Sequence, residues 1–170
     1  MTRDPARAFE HVFRREHGAI VAFCFRRTDD YELARDLAAE TFRIAWTRWE
    51  EPRRSDRAWL YGVARNLIGG EYRRRATATT YTNQDVAEPA SGDDYLRVDV
   101  QQTLASLSET HQEVLRLAYW DGLSAAEIGE LLGIATSATW VRLSRARRAF
   151  TAAWKDQPAP SATASERTPR

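Results

Sequence analysis

Apolar residues recur at helical spacing along most of the chain, and no stretch alternates as a half-buried strand does. Phe9, Val12, Phe13, Ile20, Phe23 and Cys24 mark one face of a helix from about 5 to 27. Asp29 and Asp30 supply capping chemistry for a second helix, which carries Leu33, Leu37, Phe42, Ala45, Trp46 and Trp49 and ends near Glu51-Pro52. Ser55 and Asp56 cap a third, with Trp59, Leu60, Val63, Ala64 and Leu67 inward and Arg73–Arg75 at its end. These three helices predict a first module over 5–75. Residues 76–96, ATATTYTNQDVAEPASGDDYL, have no basic residue and no sustained period, which reads as a flexible acidic linker able to hold two modules far apart.

Periodicity resumes at Val98, Val100, Leu104 and Leu107. Ser108-Glu109 opens a helix with Val114, Leu115, Leu117, Ala118 and Tyr119 inside it, and Asp121-Gly122 ends it. A short helix from Ser124 stops at Gly133, and a last one runs to about Trp154. The second module therefore covers 97–154, and 155–170 has the composition of a disordered tail. The expected fold is all-α: two small helical domains joined by a flexible linker.

Composition narrows the function. The 170 residues are 43% hydrophobic and 29% charged, values of a globular chain. No apolar run approaches the ~20 residues of a membrane helix, and MTRDPARAFEHVF lacks the layout of a secretory signal, so a cytoplasmic location is expected. One cysteine, Cys24, leaves no intramolecular disulfide or cysteine-cage zinc site, and its place on an inner helix face reads as core. His11, His17 and His111 form no metal pair, and no nucleophile elbow or phosphate loop is present, so neither catalysis nor a cofactor is indicated. The net charge of +1 hides an asymmetry: residues 53–75 hold seven Arg against two acids. Charge clustered in this way suits a polyanion.

Three constellations stand out. Residues 123–148, LSAAEIGELLGIATSATWVRLSRARR, have the pattern of a helix-turn-helix. Gly129 fits the helix crossing, Gly133 the turn, and Ile128, Leu132, Ile134 and Leu143 a small core. Its second helix would enter the major groove. In 46–75, Trp46, Trp49, Trp59, Tyr61 and Tyr72 lie among arginines and Asn66, which suits unpaired nucleic acid or a tryptophan-rich core under solvated arginines; Trp46 reads as core either way. In 34–46, Asp36, Glu40 and Arg43 form one charged stripe, either a docking face or a solvated surface.

RDLAAETFRIAW followed by RAWLYGVARNLIGGEYRRR resembles region 2 of the extracytoplasmic-function (group 4) sigma factors of bacterial RNA polymerase. LASLSETHQEVLRLAYWDGLSAAEIGELLGI followed by VRLSRARRAF is similar to their region 4, and the two stretches cover about 8–153. The resemblance implies a non-catalytic initiation subunit that binds RNA polymerase core (β′ clamp and β flap) and promoter DNA, and it implies an anti-sigma factor as a further partner. It places Asp36, Leu37, Glu40, Thr41 and Phe42 at the clamp. It places Trp59, Arg65, Asn66, Arg73 and Arg74 at the −10 element, with the loop 50–56 holding a flipped-out base. It places Ser137, Trp140, Arg142, Ser144 and Arg145 on the −35 recognition helix, with Arg147 and Arg148 on phosphates.

The sequence departs from the family pattern at three places. Ala39 replaces a usual Gln in the docking motif, and the loop EEPRRSD lacks the usual aromatic. Trp140 and Val141 stand where Lys and Ser are usual, so the −35 sequence cannot be carried over; Trp140 either faces DNA or packs on the preceding helix. Two rivals remain beside the sigma reading. A stand-alone helix-turn-helix regulator leaves the first module unexplained, and a helical enzyme lacks a convergent set of titratable groups.

Overall fold

The computed structural model describes residues 4–51, 53–78 and 94–156. Among them the chain forms α1 (Pro5–Thr28), α2 (Tyr31–Thr47), α3 (Asp56–Ala78), α4 (Asp94–Ala105), α5 (Glu109–Leu115), α6 (Ala125–Leu132) and α7 (Thr136–Lys155), with a π-helical turn at Arg116–Trp120 and no strand. The fold is all-α, as the periodicity requires.

Short polar side chains set the helix ends. The Asp4 carboxylate accepts the Ala6 N–H at 3.0 Å to start α1. Asp29 stops that helix in the left-handed region at φ 51°, and Asp30 then accepts the Leu33 N–H at 3.0 Å to start α2. The two neighbouring aspartates thus make a sharp corner. Ser55 opens α3 by accepting the Ala58 N–H at 3.1 Å.

Four boundaries differ from the sequence expectation. α2 stops at Thr47, short of Glu51, because Arg53 turns back and donates to the carbonyls of Arg48, Trp49 and Glu51, replacing the bonds a longer helix would make. Helix also reaches into both ends of the expected linker, at 76–78 and from Asp94. Positions 79–93 of that linker, and the tail from 157, lie outside the described residues. The helix expected from Ser108 to Asp121 widens after Leu115 into the π turn, where the Asp121 N–H reaches the Arg116 carbonyl at 3.0 Å. Leu117 is turned inward and Tyr119 and Trp120 outward.

In the first domain, Ile20, Phe23, Cys24, Ala34, Ala38, Leu60, Tyr61 and Ala64 are fully buried between α1, α2 and α3. Leu104, Val114, Leu115, Leu117, Ile128, Leu143 and Ala146 form the buried core of the second domain. Each large apolar side chain buried this way contributes about 1.5–3 kcal/mol. Trp46 is not core: it is 50% exposed, with only an edge-on contact to Phe9 at 5.0 Å. Burial also keeps the Cys24 thiol protonated, pushing its pKa up to about 11 against the opposing pull of Arg27.

The two modules, which the linker would allow to separate, pack against each other. The backbone of α3 at Gly62 meets the Leu131 side chain of α6, and the core runs continuously through both domains.

Candidate nucleic-acid interface

The second domain carries a helix-turn-helix in α6 and α7. Ser124 and Glu127 form a reciprocal capping box: the Ser124 hydroxyl accepts the Glu127 N–H, and the Glu127 carboxylate accepts the Ser124 N–H at 2.8 Å. Burial raises the Glu127 pKa, but the Ser124 bonds and nearby Arg57 outweigh it and hold the carboxyl below its ordinary range. Gly133 makes the turn at φ 67°. A Cβ at Gly129 would lie 2.8 Å from the Ile134 carbonyl oxygen and 3.1 Å from Thr139 Oγ1, so only glycine allows this crossing.

α7 buries Thr139, Leu143 and Ala146 against α5 and α6. Ser137, Trp140, Val141, Ser144, Arg145, Arg147 and Arg148 are exposed along the rest of its surface. Trp140 therefore does not pack on the preceding helix. Arg142 is set apart from this outer face: half-buried, it lines a cleft facing the first domain. Arg147 is engaged within the domain, donating to the Tyr119 hydroxyl at 2.7 Å.

The first domain offers α3. Arg65, Asn66, Arg73 and Arg74 are exposed, and the first three line the same cleft of about 950 Å³ as Arg142. Trp59 is not available for stacking. It is half-buried against the core, and the Arg53 guanidinium sits 4.1 Å over its ring and 4.6 Å from Trp49. Arg53 thus takes the aromatic faces that unpaired bases were expected to use, while pinning the loop 48–56 by its carbonyl bonds.

On α2, the stripe is split by burial. Asp36 is exposed and Glu40 half-exposed, the latter held below the ordinary carboxylate range by hydrogen bonds from Arg43 at 2.6 and 2.7 Å. Leu37, Thr41 and Phe42, expected at the same docking face, are buried in this structure. Thr41 donates to the Leu37 carbonyl at 2.7 Å, and Phe42 packs edge-on to Phe13 at 4.8 Å. Their place in the motif is explained by the core they build beneath Asp36 and Glu40.

Sequence reasoning missed the contacts that join the domains. Asp121, read only as a helix stop, has a fully buried carboxylate that accepts from Arg26 and, at 3.4 Å, from Arg27. Arg57 donates to the backbone carbonyls of Asp121 at 2.6 Å and Gly122 at 2.8 Å, and is held from behind by Glu16 at 3.1 Å. Glu113 lies 3.5 Å from Arg27 and 3.6 Å from Arg65. Arg65, a residue expected on DNA, is therefore paired with the second domain. Partners 94 and 95 positions apart leave no signal in a single sequence. The described residues contain no cluster of metal-ligating side chains and no helix long and apolar enough to cross a membrane.

Comparison with known proteins fits this architecture. Residues 12–78 match the family model for sigma-70 region 2, and 97–150 match that for sigma-70 region 4. The ECF RNA polymerase sigma factor SigL of Mycobacterium tuberculosis is 35% identical over 146 residues, covering 79% of this chain and 82% of that one. The chain belongs to the ECF RNA polymerase sigma factors. RNA polymerase sigma factor YlaC of Bacillus subtilis is 32% identical, covering 82% of this chain and 88% of its own. Among solved structures, CnrH in complex with the cytosolic domain of CnrY superposes with a TM-score of 0.63 at 25% identity, over 89% of this chain and 91% of CnrH. The sigma factor RpoE of Bartonella quintana, solved with the anti-sigma factor NepR, shares the fold at a TM-score of 0.64 and 23% identity, over 89% of this chain and 99% of RpoE. In this ECF sigma factor both regions are thus present on one chain, and region 2 and region 4 face each other across the arginine-lined cleft.

Proposed function

We propose that this ECF sigma factor is a group 4 initiation subunit that acts in the cytoplasm and performs no covalent chemistry itself. It binds RNA polymerase core through Asp36 and Glu40 on α2, and the β flap through the apolar groove between Leu104, Leu115, Trp120 and Phe150. Arg65, Asn66, Arg73 and Arg74 on α3 read the −10 element, and the outer face of α7 reads the −35 element. An anti-sigma protein is its further partner, as NepR is in the solved complex of RpoE.

The observation that carries this reading is the pairing, on one chain, of an open recognition helix with a second arginine-rich helix and an exposed acidic stripe. A stand-alone regulator needs only the first of these. The test is a pull-down with polymerase core. The wild-type chain is retained, and charge reversal at both Asp36 and Glu40 abolishes retention while circular dichroism scarcely changes, since exposed carboxylates add little stability. Unaltered core affinity in the double reversal would remove the docking assignment. No binding of the wild type at all would favour the stand-alone regulator.

A further inference from the structure

The outer face of α7 combines two chemistries. Opposite the buried residues Thr139, Leu143 and Ala146, the positions Ser137, Val141, Ser144 and Arg148 recur at helical spacing as one exposed stripe. Trp140 flanks it on one side and Arg145 on the other. Trp140 is 56% exposed and Val141 50%, in the first half of the helix, the part that enters a major groove. Several other exposed aromatics have a partner within the protein: Tyr119 receives Arg147, Trp154 stacks on Phe150 at 6.0 Å, and Trp46 meets Phe9, while Trp120 lines the apolar groove beside Leu104, Leu115 and Phe150. Among the described residues no ring or cation stacks on Trp140, and its indole N–H has no acceptor.

Leaving an indole and a β-branched side chain in water forfeits the gain of burying them, about 1.5–3 kcal/mol for a side chain of this kind. On a stripe whose other members are Ser137, Ser144 and Arg148, that cost is recovered by an apolar group on the bound partner. The major groove offers one such group, the C5-methyl of thymine; every other group that distinguishes the base edges there is a hydrogen-bond donor or acceptor. An aliphatic side chain offers a purine edge no hydrogen bond, whereas it fits against a methyl.

We propose that Trp140 and Val141 read thymine through its 5-methyl group in the −35 element. Arg145 and the serines supply the polar part of the same readout. The inference rests on the reading of α7 as the −35 helix.

The test separates the two. Holoenzyme assembled from polymerase core and the full chain selects −35 sequences from a randomised duplex library. Each thymine of the selected element is then replaced singly by deoxyuridine, which removes only the methyl. At one or two positions the wild type is expected to lose about four-fold in affinity, the effect of withdrawing one buried methyl-sized group. Trp140→Ala or Val141→Ala is expected to bind thymine and deoxyuridine alike at those positions, with melting temperatures near wild type because both side chains are exposed. If every deoxyuridine is tolerated by the wild type, or if both variants keep the full penalty, the inference is overturned and the −35 assignment stands. If no element is enriched although core is bound, the −35 assignment of α7 falls and takes the inference with it.

Discussion

The two helices expected to meet promoter DNA, α3 and α7, are alike in sequence and opposite in availability. Both mix arginines with aromatics. The outer face of α7 is open, with only Arg147 engaged, to Tyr119 of its own domain. On α3, Arg57 is spent on the Asp121 and Gly122 carbonyls, Arg65 is paired with Glu113, and the Trp59 ring is covered by Arg53. Much of the difference lies in what stands opposite the helices: the second domain presents acids and carbonyls to α3, and among the described residues none pairs with the exposed stripe Ser137, Val141, Ser144 and Arg148 of α7. In this arrangement the outer face of α7 is open, whereas on α3 Arg57 and Arg65 are engaged by the second domain.

Asp121 is where that contact is most costly to break. Removing one member of a buried pair leaves the other charge uncompensated, at about 3–5 kcal/mol; the partial exposure of Arg26 and Arg27 puts Asp121→Ala near 3. The variant is expected to keep its helicity and to show a larger radius of gyration by small-angle scattering. An unchanged radius would mean that the apolar contact of Gly62 with Leu131 holds the domains by itself.

The placement of α7 depends on shape instead of charge. Gly129→Ala drives a methyl to 2.8 Å from a backbone oxygen that cannot move freely, and overpacking of this kind costs about 1–3 kcal/mol. Gly18→Ala on exposed α1 meets nothing within 4 Å and is expected to gain up to about 1 kcal/mol from helix propensity. Thermal melting of the pair checks both signs. Equal effects would mean that the α6–α7 crossing has slack.

Much of this was legible in the sequence, and the failures have a common cause. Helix content, the helix-turn-helix, the roles of Gly129 and Gly133 and the caps at Asp30, Ser55 and Ser124 follow from local chemistry, which one sequence contains. A motif does not say which of its members point inward, so the burial of Leu37, Thr41 and Phe42 beneath Asp36 and Glu40 had to come from the packing of α1 against α2. Trp46 was placed in the core by its hydrophobicity, yet it lies at the end of α2, where α1 covers only one edge of the ring. Trp59 was offered to unpaired bases although the arginine that stacks on it lies six positions away, within the same expected loop. The Asp121 contacts were invisible because they join two domains.

Open and engaged faces also differ in how their arginines should respond to mutation. Arg145→Ala on α7 is expected to narrow the gap between a selected −35 element and scrambled DNA by about 1–3 kcal/mol, as loss of a bidentate base contact does. Arg148→Ala is expected to weaken both sequences alike and to lower the salt slope by about one. Full discrimination retained by Arg145→Ala would mean that the helix sits in the groove in another register.

The smallest effect is expected at Glu113, and it bears most directly on the comparison. Its pairing with Arg65 is long and half-exposed, and such pairs contribute about 0.2–1 kcal/mol. Glu113→Gln releases Arg65 without changing the shape of α5. Holoenzyme carrying the variant is expected to bind a promoter fork with an unpaired −10 strand up to about five-fold more tightly than wild type at low salt. Near 1 M salt the Debye length shrinks to about 3 Å, the pair in the wild type is screened, and the two proteins should bind alike. Equal binding at both ionic strengths would show that Arg65 is not held back by the second domain; α3 would then be as open as α7 in solution, and the contrast between them would rest on Arg57 and Asp121 alone.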